Sequence, residues 1–293
     1  MQKFEYLKPL SEDEAISLLE KYGASAKALL GGTDLAVMID DEMVTPKVVI
    51  DLKGISNLMR LELRGEYLYI GAGITFNELI ASKIVKDHFP LLWETSRSVG
   101  SFGIRNRATL VGNICSAVPS ADSAPALLVL NSSVEIRAKE GVREVPIDKF
   151  FVGPRKTVIQ TGEIVTGIKI PLERGETGAS YIKLGRYDGE DLAQVGVASY
   201  VNSDKVYRIA FGAVAPIPVR AYEAEEYLKG KDVDEDLIEE VKPIALKAIS
   251  PISDMRASKE YRLYVSGVLL KRSLFASSRR LKKLGPAYGE HLV

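Results

Sequence analysis

The sequence predicts an α+β chain of two domains, and three observations predict it. Short β and α patterns alternate over residues 4–52, which reads as a βαβ-like unit. Three β-rich segments between residues 181 and 214 follow one another through short turns, as in an antiparallel meander, and three helical patterns close the chain. The 293 residues, 46% hydrophobic and 8% aromatic, are enough to bury about two cores at roughly 150 residues each. The first domain is expected at 1–175, in subdomains of about 1–54 and 55–175, and the second at 176–293.

Phe4 to Leu7 reads as the first strand. Ser11 followed by Glu14 is a capping-box pattern that opens an amphipathic helix ending at Gly23. Ala26 to Leu30 reads as a buried strand, Leu35 to Ile39 as a helix capped by Thr33 or Asp34, and Lys47 to Leu52 as a strand. Leu58 to Leu63 and Tyr67 to Ile70 are expected to pair across Arg64-Gly65-Glu66, with a helix opening at Thr75 and Glu78. Between Ser98 and Ala121 neither a 2-residue nor a 3.6-residue period holds, and long irregular segments inside compact domains are usually functional. A short apolar helix (Pro125 to Leu130) and strands at Val134–Ala138, Glu144–Ile147 and Ile164–Ile170 follow. Glu173 to Gly178 is the linker candidate. Beyond it lie strands at Tyr181–Leu184, Leu192–Val201 and Val206–Val214, then helices near Arg220–Leu228, Asp236–Ile249 and Lys259–Leu284.

Composition excludes several function classes. Lys plus Arg and Asp plus Glu are each 39, so the net charge is zero and no general attraction to nucleic acid or anionic membrane is expected. The start, MQKFEYLKPL, lacks an apolar signal core, and the run Ala124–Leu130 is far too short to span a bilayer, so a cytoplasmic chain without a membrane span is expected. One cysteine, Cys115, excludes an intrachain disulfide and any iron–sulfur cluster held by this chain alone. Two histidines, His88 and His291, offer no zinc-ligand spacing, and no residue of the chain is assigned a catalytic or metal-binding role. Gly71-Ala72-Gly73 starts like a dinucleotide fingerprint, but Phe76 stands where the third glycine belongs, and no Walker lysine follows any glycine loop.

Two loops could carry chemistry. Leu29-Leu30-Gly31-Gly32-Thr33-Asp34 takes a strand into a helix through two residues without Cβ, a geometry that suits a phosphate or pyrophosphate and equally an ordinary tight turn. Arg105 to Asn113 is rich in hydrogen-bonding groups that are neither acids nor bases. It reads as a wrap for a polyhydroxylated ligand or as a covering loop, its two arginines solvated or structural. Cys115, between Ile114 and Ser116, reads as a buried small hydrophobe. Asp34 and Asp122 would repel phosphate and are expected to accept from hydroxyls or cap amides.

Taken jointly, Gly31-Gly32-Thr33-Asp34, Ile104-Arg105-Asn106, Thr109 to Cys115, Pro119 to Leu127, Lys183, Asp191-Leu192-Ala193, Ala210 to Pro216 with Pro218 and Arg220, and Arg256 to Arg262 resemble the FAD-binding medium subunit of molybdenum hydroxylases, the xanthine dehydrogenase and carbon monoxide dehydrogenase family. The resemblance covers almost the whole chain, in order, and looks closest to the separate FAD subunit of bacterial xanthine dehydrogenases. It implies a two-subdomain FAD-binding domain of vanillyl-alcohol-oxidase or PCMH type, then a C-terminal domain with a three-stranded antiparallel sheet and helices. By motif position it implies that Lys27, Ala28, Leu29, Leu30, Gly31, Gly32, Thr33 and Asp34 hold FAD together with Thr109, Leu110, Val111, Gly112 and Asn113. Asp122, Val165 and Lys183 are implied as further contacts, Lys183 being a point charge near the cofactor or a solvated strand lysine. The family commonly has glycine where this chain has Val111. The implied partners are a large molybdopterin-binding subunit and a small subunit with 2Fe-2S clusters, with electrons leaving FAD for NAD⁺ or another acceptor. The alternatives are a carbon monoxide dehydrogenase-like or aldehyde oxidoreductase-like medium subunit, or a scaffold subunit that has lost FAD.

Overall fold

A computed structural model describes residues 3–187 and 189–292. It opens with β1 (Glu5–Leu7), α1 (Glu12–Tyr22), β2 (Ala26–Leu29), α2 (Leu35–Asp40) and β3 (Val48–Asp51), in which the three strands form a parallel sheet ordered β1-β3-β2. The capping signal acts as read, with one displacement. The Ser11 hydroxyl accepts from the Glu14 amide at 3.2 Å, while the Glu14 carboxylate reaches past Ser11 to the Leu10 amide at 2.9 Å. Ala15, Ile16 and Leu19 give α1 its buried stripe, and Gly23, at φ +52°, ends it. β2 departs from expectation: only Ala26 is buried, and Lys27 and Ala28 are exposed, because β2 is an edge strand and β3 takes the centre.

The second sheet is antiparallel in the order β4-β5-β10-β6-β7. β4 (Leu61–Arg64) and β5 (Tyr67–Gly71) form the expected hairpin over Gly65, at φ +59°. Leu58 belongs instead to a 3₁₀ turn, Ser56–Met59, where it is fully buried. Helices α3 (Phe76–Ala81), α4 (Lys83–His88) and α5 (Pro90–Arg97) follow, the first with both halves of the Thr75/Glu78 capping box. The stretch 98–121 is not irregular throughout: α6 (Phe102–Arg105) and α7 (Leu110–Cys115) lie within it, capped by the Ser101 and Thr109 hydroxyls. They are too short for a 3.6-residue period to register. Then come α8 (Ser123–Val129), β6 (Ser133–Ala138), β7 (Gly141–Pro146), α9 (Ile147–Phe150), the small pair β8 (Phe151–Gly153) and β9 (Lys156–Thr157), and β10 (Ile164–Pro171).

The third sheet is antiparallel and ordered β11 (Thr177–Leu184), β12 (Val195–Asn202), β13 (Tyr207–Gly212), β14 (Val219–Arg220), so the three expected strands gain a two-residue fourth. Thr177 and Gly178, expected in the linker, already pair within β11. Gly178 is required there because a Cβ would overlap the Ser277 carbonyl of the long helix α12. The other closing helices are α10 (Tyr222–Leu228) and α11 (Glu235–Leu246), before α12 (Lys259–Leu281). Strand alternation gives this sheet two apolar faces. Ile182, Val195, Val197, Val201, Ile209 and Phe211 face α11 and α12 in one core, whereas Ala179, Tyr181, Ala198, Tyr200 and Ala210 join the other, larger core of residues 15–170. Between the sheet and α12 a fully buried set of hydroxyls is mutually bonded: Ser273 Oγ lies 2.7 Å from Ser180 Oγ and 2.8 Å from Ser199 Oγ. No helix among the described residues is long and apolar enough to cross a membrane.

Candidate functional site

The carboxyl end of β2 delivers the chain into Leu30–Asp34. A Cβ on Gly31 would overlap the Arg107 carbonyl oxygen, so this glycine is what lets the first loop lie directly against the second. Gly32 adopts φ +77°, the left-handed region, with Leu29 Cδ1 3.0 Å from its absent Cβ. The expected side-chain cap is missing: Asp34 occupies the N-cap position of α2 but its carboxylate makes no capping bond. Among the described residues, the amides of Gly32, Thr33 and Asp34 donate to nothing within the chain, which leaves a short row of N–H groups for an acceptor outside it.

The second loop is held from below. Phe76 N donates to Ala108 O at 3.0 Å, Leu110 N to Ile74 O at 3.3 Å, and Thr75 bridges Thr109. Thr109 Oγ1 accepts from Gly112 N at 2.9 Å, so the hydroxyl proton is left to donate. Asn113 Oδ1 accepts from Ser123 Oγ at 2.6 Å, which leaves its amide N–H₂ as the free end. Val111, 2% exposed, points into the larger core with Leu110 and Ile114, and Val165 is buried in the same core. Arg105 is structural: its Nη1 donates to the carbonyls of Arg97, Val99 and Gly100 and ties down the loop before α6. Cys115 packs against the core, and burial alone pushes its thiol up to about 12.

Asp122 and Lys183 meet at the seam between the two cores. Residues 179, 181 and 183 of β11 share one face, which turns Lys183 toward the first core, where its Nζ lies 2.8 Å from Asp122 Oδ2 and donates to Ser98 O at 3.0 Å. Tyr181 donates its hydroxyl to Asp122 Oδ1 at 3.0 Å. Lys183 is therefore a fixed, half-buried cation held by two partners and not a freely solvated one. Burial raises the Asp122 carboxyl, opposed by the Lys183 ammonium and the two hydrogen bonds, and burial beside Asp122 drives the Tyr181 phenol well above its ordinary range. Lys183 lines an open cleft of about 580 Å³ together with Arg97, Ser98, Arg105, Tyr187 and His291, a size suited to a small molecule or cofactor ring. Among the described residues, no group of three or more His, Cys, Asp or Glu could hold a metal ion.

Comparison with known proteins places the whole chain in a family. The family described as FAD binding domain in molybdopterin dehydrogenase matches residues 2–173, and the CO dehydrogenase flavoprotein C-terminal domain matches residues 179–276. The chain is an FAD-binding medium subunit of the molybdenum hydroxylase family. The xanthine dehydrogenase FAD-binding subunit of Escherichia coli O157:H7 is 32% identical over 265 residues, covering 88% of this chain and 90% of that one. The carbon monoxide dehydrogenase medium chain of Hydrogenophaga pseudoflava is 32% identical over 282 residues, covering 95% and 98%. A solved structure of carbon monoxide dehydrogenase from Hydrogenophaga pseudoflava, lacking the Mo-pyranopterin moiety of the molybdenum cofactor, matches with a TM-score of 0.92 over 95% of this chain and 98% of that chain. The flavoprotein subunits of this family are components of oxidoreductases, and FAD is the cofactor this chain carries. Its residues fit that group: the unpaired amides at 32–34 suit a pyrophosphate, and the donors that Thr109 and Asn113 leave unspent within the chain suit its oxygens.

Sequence reasoning missed Glu94 and Arg280, which bond each other in the interior, and Tyr181 as the second donor to Asp122. Period-2 spacing places 179, 181 and 183 on one face and could have singled out Tyr181. Nothing local marks Glu94 or Arg280, because charges on helical patterns ordinarily read as solvated.

Proposed function

We propose that this chain is the electron-transfer flavoprotein of a cytoplasmic, xanthine dehydrogenase-like complex, with a large molybdopterin-binding subunit and a small iron–sulfur subunit as partners and NAD⁺ or another acceptor taking the electrons from FAD. FAD, when bound, supplies the chemistry that takes single electrons and releases them in pairs. The chain's residues bind and orient it. The amides of Gly32 to Asp34 and the Thr109 and Asn113 donors hold the phosphate and ribityl oxygens. Lys27 to Leu30 and Leu110 to Gly112 frame them, with Val165 behind. Asp122 fixes Lys183 as a positive charge beside the ring system. The observation that carries this reading is the contact of Gly31 with Arg107, which joins the two loops into one surface. The division at 175/176 then separates the flavin-holding part from the part that contributes Lys183.

A second reading, a carbon monoxide dehydrogenase-type medium subunit, is favoured by the longer match to the Hydrogenophaga pseudoflava chain. Isolation from the native source distinguishes the two by the substrate that bleaches the flavin of the whole complex. The purified chain alone should be yellow and show at most NADH oxidation with an artificial acceptor. Hydroxylation of a purine or aldehyde by this chain with no other polypeptide present would overturn the proposal.

A further inference from the structure

Glu94 on α5 and Arg280 on α12 are 186 positions apart and both buried. Each oxygen of the Glu94 carboxylate accepts twice. Oε2 takes Arg280 Nη1 at 3.0 Å and the Tyr181 amide at 3.1 Å, and Oε1 takes Arg280 Nη2 at 2.8 Å and the Gly289 amide at 2.9 Å. Arg280 also donates to the carbonyls of Ala179 at 2.7 Å, Pro286 at 3.0 Å and Ala287 at 2.9 Å. The Tyr288 ring lies 4.0 Å from its guanidinium, and the Tyr288 hydroxyl accepts from the Ala179 amide at 3.1 Å.

A buried ion pair is weak evidence for stability, since desolvation offsets most of its attraction. What this one does is set position. β11 is the outer strand of its sheet, and residues 179 and 181 turn their backbone groups toward its free edge. Glu94, Arg280 and Tyr288 occupy that edge as a neighbouring strand would, and their hold ends two residues before Lys183. The segment 280–289, which supplies Arg280 and the C-terminal contacts, lies wholly beyond the family match at 179–276.

We propose that Glu94, with Arg280 and the C-terminal residues, is a positioning residue for the flavin site: it fixes the edge of β11 and thereby holds Lys183 on Asp122 at the wall of the cleft. The inference rests on the reading that Lys183 lies beside the flavin.

Two variants test it in the full chain. Glu94→Gln places an amide N–H₂ against donors, and a chain ended after Leu284 removes Tyr288 and Gly289 while keeping the Glu94–Arg280 pair. The FAD dissociation constant and the midpoint potential of the bound flavin are measured for each. The same measurements are made in an Asp122→Asn, Lys183→Met background, which removes the pair without stranding a charge. We expect about tenfold weaker FAD binding and a displaced potential in the wild-type background, and no further displacement once the pair is gone. Unchanged affinity and potential in a folded variant would overturn the proposal, as would an equal displacement in both backgrounds, which a merely structural role produces. If Glu94→Gln does not fold, the shortened chain decides by the same criteria. A wild-type potential in the Asp122→Asn, Lys183→Met chain would instead refute the placement of Lys183 beside the flavin, and the inference with it.

Discussion

Val111→Gly is the substitution that would place glycine where the family resemblance leads one to expect it, and the structure implies that it harms the fold while leaving the flavin alone. Val111 lies in α7 with its side chain in the larger core and 2% exposed. Losing a fully buried valine side chain costs about 2 kcal/mol, and glycine inside a helix adds about 1 kcal/mol of backbone entropy. The sum, about 3 kcal/mol, is a large part of a typical stability of roughly 5–15 kcal/mol. At about 2–4 °C per kcal/mol for a chain of this size, the apo protein should melt roughly 6–12 °C lower. FAD affinity of the folded variant should stay within about twofold, since the lost methyls face away from the loop surface. Thermal melts without flavin and flavin-fluorescence titrations at a temperature where both proteins are folded measure the two quantities. A variant that melts like the wild type and binds FAD markedly tighter would show that Val111 crowds the cofactor.

Gly32→Val puts a β-branched residue at φ +77°, at a local cost of about 1–3 kcal/mol, and should reduce FAD affinity at least about tenfold; equal flavin retention after gel filtration would refute the loop assignment. Cys115, half-buried against the core with its thiol pushed up to about 12, should react with alkylating reagents in mildly alkaline buffer far more slowly than a free cysteine, and labelling of the native protein at the rate of a free thiol would contradict its placement. Burial likewise raises the Tyr69 phenol from 10.0 to about 12. The folded state then keeps a proton that the unfolded state loses, so this contribution is intact below about pH 10 and disappears as pH rises toward 12. Denaturant titrations across that window should show a steeper loss for the wild type than for Tyr69→Phe.

Elements whose signals are local were legible in the sequence. Ser11 and Glu14 start α1, Thr75 and Glu78 start α3, and the apolar runs of β11 to β13 form the expected meander. α6 and α7 were not, because four to six residues carry too little periodicity and their caps sit among other turn-forming residues. Both glycine loops were visible as candidates, but not that Gly31 is needed for the Arg107 carbonyl, a contact between segments 76 positions apart. Lys183 could be read as a charge and not as a fixed one, since what fixes it is Asp122 on another element. Leu58 reads as strand by composition and takes a 3₁₀ turn because Gly71 and Gly73 press against that segment.

The sheet β11 to β14 gives one face to each core, with Ala179, Tyr181, Ala198, Tyr200 and Ala210 turned toward the N-terminal part. A change of fold unit along the chain is therefore not a place where the chain can be cut. Residues 176–293 expressed alone would present an aromatic and small-residue face to water, and the N-terminal part alone would lose the surface that covers α5 and α8. The two parts are therefore expected to melt as one, and fragments from a gene split at that point to stay soluble only in each other's company.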